Sequence, residues 1–174
     1  TQWVLSDCAL SISGNDPISL EFWLRKEDSN NNWMFGYGIN AAASGSRYHF
    51  LTGSNNGSLH VLTTSAGEIV TGYTIPVNEW HHYAMTWDGT TLTVYVDGTS
   101  VFSNNYGAQN VSAQNVVVGY PNAAGAGLNG QVDEIRVWSA ARTATEIQDN
   151  MNIELTGTET NLEVYYKMND CTCG

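Results

Sequence analysis

The sequence predicts an all-β protein: an antiparallel two-sheet sandwich of the jelly-roll type, with one short helix before the last strand. Roughly ten runs rich in β-branched and aromatic residues follow one another along the chain, separated by clusters of Gly, Asn and Ser. Short strands at such regular spacing are typical of antiparallel sandwiches and jelly rolls. The 174 residues suffice for a sizeable core, so we expect a single domain over residues 1–174.

The clearest strand is Ile18–Arg25, in which Leu20, Phe22 and Leu24 share one face. That alternation indicates a strand with one side in the core. The other strand predictions follow in chain order: RYHFLT (47–52), SLHVLT (58–63), EIVTGY (68–73), NVVVGY (115–120), QVDEIRVW (131–138) and NLEVYYKM (161–168).

One helix is predicted in the stretch RTATEIQDNM. Thr143 is followed three residues later by Glu146, which is the spacing of a capping box. Ile147 and Met151 stand four residues apart and share a face. The pattern favours a helix of about two turns that leads into the last strand.

The stretch EWHHYAMTWDGTTLTVYVDG (79–98) predicts a β-hairpin, because an Asp-Gly pair separates two runs of strand-forming residues. A two-residue loop at Asp88-Gly89 would pair Met85 with Leu92. A four-residue loop would shift this register by two residues and leave the same side chains on each face.

The two faces of this hairpin differ in character. Tyr83 and Met85 lie on a largely apolar face, whereas His82 and Tyr95 lie on the opposite face beside small residues. We expect that second face to be open. His81 and His82 are neighbours and point to opposite sides of the sheet, so they cannot easily bind one metal ion.

Composition narrows the classes of partner. The formal net charge is −11, which argues against nucleic acid and against anionic membrane surfaces. Only 13% of the residues are charged, and Gly, Ser, Thr and Asn take their place, which favours an extracellular protein, secreted or at the cell surface. No stretch suits a membrane span or a signal peptide, so we expect no membrane insertion and a mature chain or excised domain.

The cysteines are Cys8, Cys171 and Cys173. Cys171 and Cys173 are too close in sequence to suit a bond with each other in extended chain. We therefore expect a disulfide between Cys8 and Cys171, with Cys173 as the alternative partner, if the terminal strands are neighbours. The remaining cysteine is then unpaired or bonds outside this segment.

Four stretches occur in an order that is characteristic of one family: LSISGNDPISLEFWLR, VNEWHHYAMTWDGTTLTVYVDG, LNGQVDEIRVWSAARTATEI and NLEVYYKMND. Over nearly its whole length the chain resembles the laminin-G-like, concanavalin A-like jelly-roll domains, in particular their pentraxin-related branch. The resemblance implies one concave and one convex sheet. It also implies carbohydrate binding, adhesion or protein–protein contact, and does not by itself imply catalysis.

The candidate ligand-binding residues are mainly aromatic, because aromatic faces stack on sugar rings. Two polar segments, 26–38 and 103–110, are predicted to be loops that carry such residues. The resemblance implies that Trp80 is a buried framework residue, which would remove it from the ligand surface. The candidates are Trp33, Tyr37, His82, Tyr95 and Tyr106.

The resemblance also implies a structural calcium ion near the start of the last-but-one strand. Asp133, together with Asn15 and Asp16 in the turn before Ile18–Arg25, would supply part of its oxygen ligands. The alternative is that Asp133 caps a turn and Glu134 pairs with Arg136 or faces solvent.

The sequence gives no sign of a catalytic site. Asp133 and Glu134 are neighbours on a predicted strand and are expected to face opposite ways, whereas glycoside hydrolases need two carboxyl groups about 5 to 10 Å apart across one cleft. No nucleophile or phosphate-loop motif is present. We therefore expect a non-catalytic extracellular binding or adhesion module for carbohydrate. The alternative is a structural or protein–protein assembly domain of a larger surface or secreted protein.

Overall fold

The computed structural model describes residues 4–5, 9–38, 47–53, 57–64, 66–119 and 127–169. Within them the chain forms two six-stranded antiparallel sheets and one short helix, which confirms the predicted sandwich. The elements are β1 (Val4–Leu5), β2 (Ile18–Lys26), β3 (Trp33–Tyr37), β4 (Tyr48–Thr52), β5 (Ser58–Thr63), β6 (Gly67–Thr74), β7 (Trp80–Trp87), β8 (Thr91–Val96), β9 (Thr99–Asn105), β10 (Val116–Val118), β11 (Gly130–Trp138), α1 (Ala144–Asn150) and β12 (Leu162–Tyr166).

The two sheets share one core. Sheet 1 has the order β1-β10-β3-β4-β5-β6, and sheet 2 has the order β12-β11-β2-β7-β8-β9. Phe22 of sheet 2 lies with its ring centroid 5.3 Å from that of Phe35 and 5.1 Å from that of Phe50, both in sheet 1. These edge-to-face contacts join the sheets, and all three rings are fully buried.

The prediction of a loop over residues 26–38 is wrong for its second half, because Trp33–Tyr37 forms β3 in the interior of sheet 1. Phe35 and Tyr37 alternate into the core. The asparagines before them and the glycines among them hid this alternation in the sequence. The predicted loop 103–110 likewise begins inside a strand, since β9 runs to Asn105.

The hairpin of β7 and β8 takes the four-residue loop, with Trp87 opposite Leu92 and Met85 opposite Val94. The Asp88 carboxylate accepts hydrogen bonds from the backbone N–H groups of Thr90 and Thr91 at 2.9 and 2.8 Å. A short acidic side chain that satisfies the loop's own backbone donors favours this longer turn.

Helix α1 has the predicted capping box. The Thr143 hydroxyl accepts from the Glu146 backbone N–H at 3.2 Å, and the Glu146 carboxylate accepts from the Thr143 backbone N–H at 2.8 Å. Ile147 is its one buried residue. The helix and the segments that flank it (139–155) pack on sheet 2.

We call the side of sheet 2 that faces away from sheet 1 its outer face. The Trp23 indole N–H donates to the Met151 carbonyl at 2.8 Å, and the Ser19 hydroxyl donates to the Ala140 carbonyl at 2.7 Å, so segment 139–155 is fixed to this face. As a result His82 is fully buried. The prediction that this face of the hairpin is open is therefore wrong at His82.

Cys8, Cys171 and Cys173 lie outside the described residues, so their pairing stays a prediction. In the part of the chain that the structure describes, no helix has both the length and the apolar character needed to cross a membrane.

Candidate carbohydrate-binding groove

A groove lies on the outer face of sheet 2, where β2, β7 and β11 meet the chain that follows α1. Its smaller part has a volume of about 390 Å³ and adjoins a broader depression of about 1350 Å³. The two parts share Trp80, Asp133 and Glu154. We call them together the outer groove. The smaller part is lined by Trp23, Trp80, Asp133, Glu134, Met151, Asn152, Ile153 and Glu154.

Trp80 provides an exposed aromatic surface in the outer groove. It is the first residue of β7, lies opposite Arg25 of β2, and points to the outer face as His82 does two residues later. Its side chain is 42% exposed, so the implied role as a buried framework residue is wrong. An indole that is open to solvent inside a cavity offers a flat apolar wall to a ligand.

A β-bulge in β11 places Asp133 and Glu134 on the same side of the sheet. Asp133 lies opposite Trp23 and Arg136 opposite Glu21, so two β11 residues stand against the single β2 residue between those partners. Glu134 takes a positive φ of 49° at this point. Both carboxylates consequently line the outer groove, and the prediction that they face opposite ways is wrong.

Glu134 is held by two donors. Its Oε2 accepts from Arg136 Nη2 at 2.6 Å and from the Tyr165 hydroxyl at 2.7 Å. Burial, together with this bond to Glu134, raises the pKa of Tyr165 to about 12. Arg136 also donates to the carbonyls of Asn150 and Ile153, at 2.9 and 2.7 Å, and so fixes the groove wall to the sheet.

The other two carboxylates of the outer groove differ in their partners. Glu154 pairs with the Lys167 ammonium at 2.6 Å and accepts from the Asn169 amide at 3.1 Å, and the bond from Lys167 lowers the pKa of Glu154. Asp133 accepts from the backbone N–H of Glu134 at 2.9 Å. Among the described residues, no cationic group pairs with Asp133.

A buried polar cluster lies beneath the outer groove and α1. Glu21, His82 and Arg136 are fully buried, with His82 Nε2 at 3.6 Å from Glu21 Oε2. Burial raises the pKa of Glu21 to about 7 and lowers that of His82 to about 3. The His82 ring is enclosed, with the Trp23 ring centroid 5.6 Å away. His82 is therefore part of the interior and does not present itself to a surface ligand.

The remaining predicted ligand-binding residues are dispersed over the molecule. Tyr37 is fully buried, and its hydroxyl donates to the Ile12 carbonyl at 2.5 Å, so its predicted ligand contact is wrong. Trp33 is half-buried on sheet 1, with its ring 5.2 Å from that of His49. Tyr95 is half-buried on β8, and Tyr106 packs against the edge of the core. None of these residues lines the outer groove.

The predicted calcium ligands do not form one site. Asp133 lies opposite Trp23, whereas Asn15 and Asp16 precede the other end of β2, roughly 20 Å away along the strand. Asn15 instead accepts from the backbone N–H of Gln109 at 2.7 Å. Within the described ranges, no three His, Cys, Asp or Glu side chains are grouped closely enough to hold a metal ion. Calcium binding stays a prediction that this donor set does not support.

Sequence reasoning missed most of the outer groove. Its wall after α1 includes Ile153, an apolar side chain that is 55% exposed between polar neighbours. An isolated apolar residue directly after a predicted helix is a weak signal, since single exposed apolar side chains are common. The bulge at Glu134 has one signal in the residue pattern: two acids separate Val132 from Ile135 and so interrupt the apolar alternation.

The chain belongs to the concanavalin A-like lectin/glucanases superfamily, whose laminin-G-type model matches residues 1–148. The wall residues Met151–Glu154 and strand β12 follow this matched part. The outer groove is therefore built partly from chain that the family match does not include. No curated protein sequence matches the chain.

Solved structures share the fold at low sequence identity. A proposed carbohydrate-binding protein from Bacteroides ovatus aligns with a TM-score of 0.80 and 19% identity over 98% of this chain, which spans 50% of that protein. The heptameric SAP-like pentraxin of Limulus polyphemus aligns with a TM-score of 0.66 and 16% identity, over 95% of this chain and 84% of that protein. Domain 4 of an extracellular arabinanase from Geobacillus stearothermophilus was solved with arabinotriose. It aligns with a TM-score of 0.63 and 19% identity, over 86% of this chain and 81% of that domain's chain.

Proposed function

We propose that this chain is a non-catalytic carbohydrate-binding module of an extracellular protein, and that the outer groove is its ligand site. The observation that carries the proposal is the exposed Trp80 indole inside a cavity that also holds carboxylates. Sugar recognition requires a flat apolar surface for the C–H face of the ring and polar groups for its hydroxyls.

The outer groove supplies both kinds of contact. Trp80 gives the apolar surface, and Asp133 and Glu154 give oxygen acceptors in the same cavity. Lys167 and Asn169 line the broader part and add donors. The volume of about 390 Å³ for the smaller part lies in the range of small-ligand sites, which begins at about 300 Å³.

The state of the carboxylates favours binding over cleavage. A glycoside hydrolase needs one carboxyl group with a raised pKa to protonate the leaving group. The hydrogen bond from Lys167 lowers the pKa of Glu154 instead. Glu134 accepts from both Arg136 and Tyr165, so its oxygen already has two donors. Neither group suits the role of general acid.

The comparisons with known proteins also support a carbohydrate ligand. One structural neighbour is a proposed carbohydrate-binding protein, and another was solved with a bound arabinose trimer. The extracellular setting rests on the composition, in which 13% of the residues are charged. The family match supports a lectin-like role but leaves the ligand open.

The test is a glycan array followed by calorimetric titration of each binder. We expect Trp80→Ala to weaken binding by about 10- to 100-fold, since stacked aromatic residues are frequent anchors of binding sites. The matched control is Trp33→Ala, which removes a half-buried tryptophan from sheet 1 and should leave affinity unchanged. Thermal melts of both variants check that the fold is retained.

A loss of binding in Trp33→Ala with full affinity in Trp80→Ala would place the ligand on sheet 1 and contradict the proposal. A negative array combined with self-association in light scattering would favour the assembly role. Hydrolysis of any glycan on the array would contradict a non-catalytic function.

A further inference from the structure

The outer groove carries a charge that its own residues do not balance. Glu134 is neutralised by Arg136 and Glu154 by Lys167, each across an N···O distance of 2.6 Å. Asp133 has no such partner among the described residues. One carboxylate of three in the cavity thus remains uncompensated.

The position of Asp133 makes this charge available to a ligand. One oxygen accepts from the backbone N–H of Glu134, and within the described residues no group donates a hydrogen bond to the other oxygen. The side chain is half-buried and lines the same cavity as Trp23 and Trp80. Two indole rings beside a carboxylate reduce local hydration, so a charge there acts more strongly than on open surface.

The surroundings strengthen the negative potential. Glu79, next to Trp80 in the chain, has a side chain that is 68% exposed. The whole chain carries a formal net charge of −11. A ligand that brings negative charge is repelled by this field, whereas a cationic ligand is attracted. An indole face also attracts cations.

We propose that the outer groove prefers glycans with free, protonated amino groups, with Asp133 as the anion that pairs with the ammonium and Trp80 as the surface on which the sugar ring stacks. This inference rests on the proposed function and specifies its ligand class. N-acetylation removes the positive charge, and uronic acids carry the opposite one, so both classes should bind less well.

The experiment compares four β-1,4-linked tetrasaccharides: of glucosamine, of N-acetylglucosamine, of glucose and of a uronic acid. We expect wild-type protein to bind the glucosamine oligomer about tenfold more tightly than the neutral ones. Asp133→Asn should remove this preference, so that the glucosamine and glucose oligomers bind the variant with similar affinity. Raising the salt from about 0.05 M to about 0.5 M should reduce the preference in wild type alone.

The control Asp149→Asn changes the net charge by the same amount at an exposed helix position outside the groove. It should retain the preference for amine. Equal affinity for charged and neutral oligomers, or tighter binding of the uronic acid, would overturn this inference while the carbohydrate-binding function stands. Failure of all four oligomers and of the wider array would overturn the proposed function itself.

Discussion

The two sheets of this sandwich both place histidines on the side away from the core, but they accommodate them in different ways. On sheet 2, His82 lies under a separate piece of chain, segment 139–155, within a fully buried cluster. On sheet 1, His49 and His60 each lie over a glycine of a neighbouring strand or loop.

The sheet 1 arrangement is local. A Cβ on Gly36 would come within 2.5 Å of the His49 ring, and a Cβ on Gly53 within 2.2 Å of the His60 ring. His60 donates from Nδ1 to Glu68 at 2.6 Å, and its Nε2 lies 2.8 Å from the Ser58 hydroxyl. The missing side chain of each glycine therefore creates the space that the imidazole fills.

The contrast shows that strand alternation determines which side a residue faces, and distant chain determines whether that side is buried. On sheet 1, the groups that enclose each histidine belong to its own strand or to a neighbouring strand or loop. Sheet 2 needs a segment more than fifty residues later in sequence to enclose His82. The following variants test this difference.

Arg136→Met should give the largest effect. Arg136 is fully buried and donates to Glu134 and to two carbonyls of segment 139–155. Its loss would leave the half-buried Glu134 without its cation and both carbonyls without this donor. We expect the free energy of unfolding in urea to fall by about 3 to 5 kcal/mol. The control Arg25→Met removes an ion pair to Glu27 at the surface and should cost less than about 1 kcal/mol. Equal costs for the two variants would contradict the role of Arg136 as the link between segment and sheet.

Glu21→Gln should change the pH dependence of stability. The Glu21 carboxyl titrates near 4.5 in the unfolded chain and near 7 in the folded protein, so between these values Glu21 binds more protons in the folded state and its contribution to stability falls as pH rises. Gln does not titrate. The stability of the variant relative to wild type should therefore rise by about 3 kcal/mol from pH 4 to pH 8.

The comparison between variants is needed because His82 acts in the opposite sense. Its pKa is lowered from 6.5 to about 3 by burial, so its contribution is present above pH 6.5 and is lost as pH falls. Urea titrations at five pH values measure both curves. Glu163→Gln, at an exposed position, gives the baseline for a surface carboxylate. A relative stability of Glu21→Gln that does not change with pH would show that Glu21 is not protonated on folding.

Gly53→Ala should destabilise sheet 1 by about 2 kcal/mol, because the new Cβ would displace the His60 ring from its partners. The contacts are all to side chains, so His60→Ala should relieve them. In a double-mutant cycle we expect the cost of Gly53→Ala to drop by more than half when His60 is absent. Simple additivity of the two changes would mean that the histidine and the glycine are not coupled.

Thr143→Ala should have the smallest effect, about 1 kcal/mol, through loss of the capping box of α1. Since α1 covers sheet 2, the melting temperature should fall together with protection of His82 from amide exchange. Thr145→Ala, at an exposed position inside the helix, should be neutral or slightly stabilising. An equal loss in both threonine variants would contradict the capping role.

The elements with strong local patterns could be predicted from sequence. Leu20, Phe22 and Leu24 alternate cleanly and form the core of β2, and Thr143 with Glu146 caps α1 as the spacing indicates. These features depend on near neighbours in sequence. They therefore leave a signal that a single chain can show.

The candidate site was harder to predict because it depends on long-range contacts. The bulge at Glu134 appears through the pairing of β11 with β2, more than a hundred residues earlier in the chain. The burial of His82 depends on where segment 139–155 docks. Trp80 follows the same alternation as His82 but lies beyond the end of that cover, and it is exposed for this reason.

The extra residue in β11 also has a consequence for how ligand specificity could change in this fold. Val132 and Ile135 both face the interior although they are three positions apart, and the two acids between them both project outward. A single-residue insertion or deletion at this point would thus alter the acidity of the surface while the hydrophobic contacts on either side stay in place. Ligand recognition at this site can therefore change when β11 gains or loses one residue, while every core side chain stays the same.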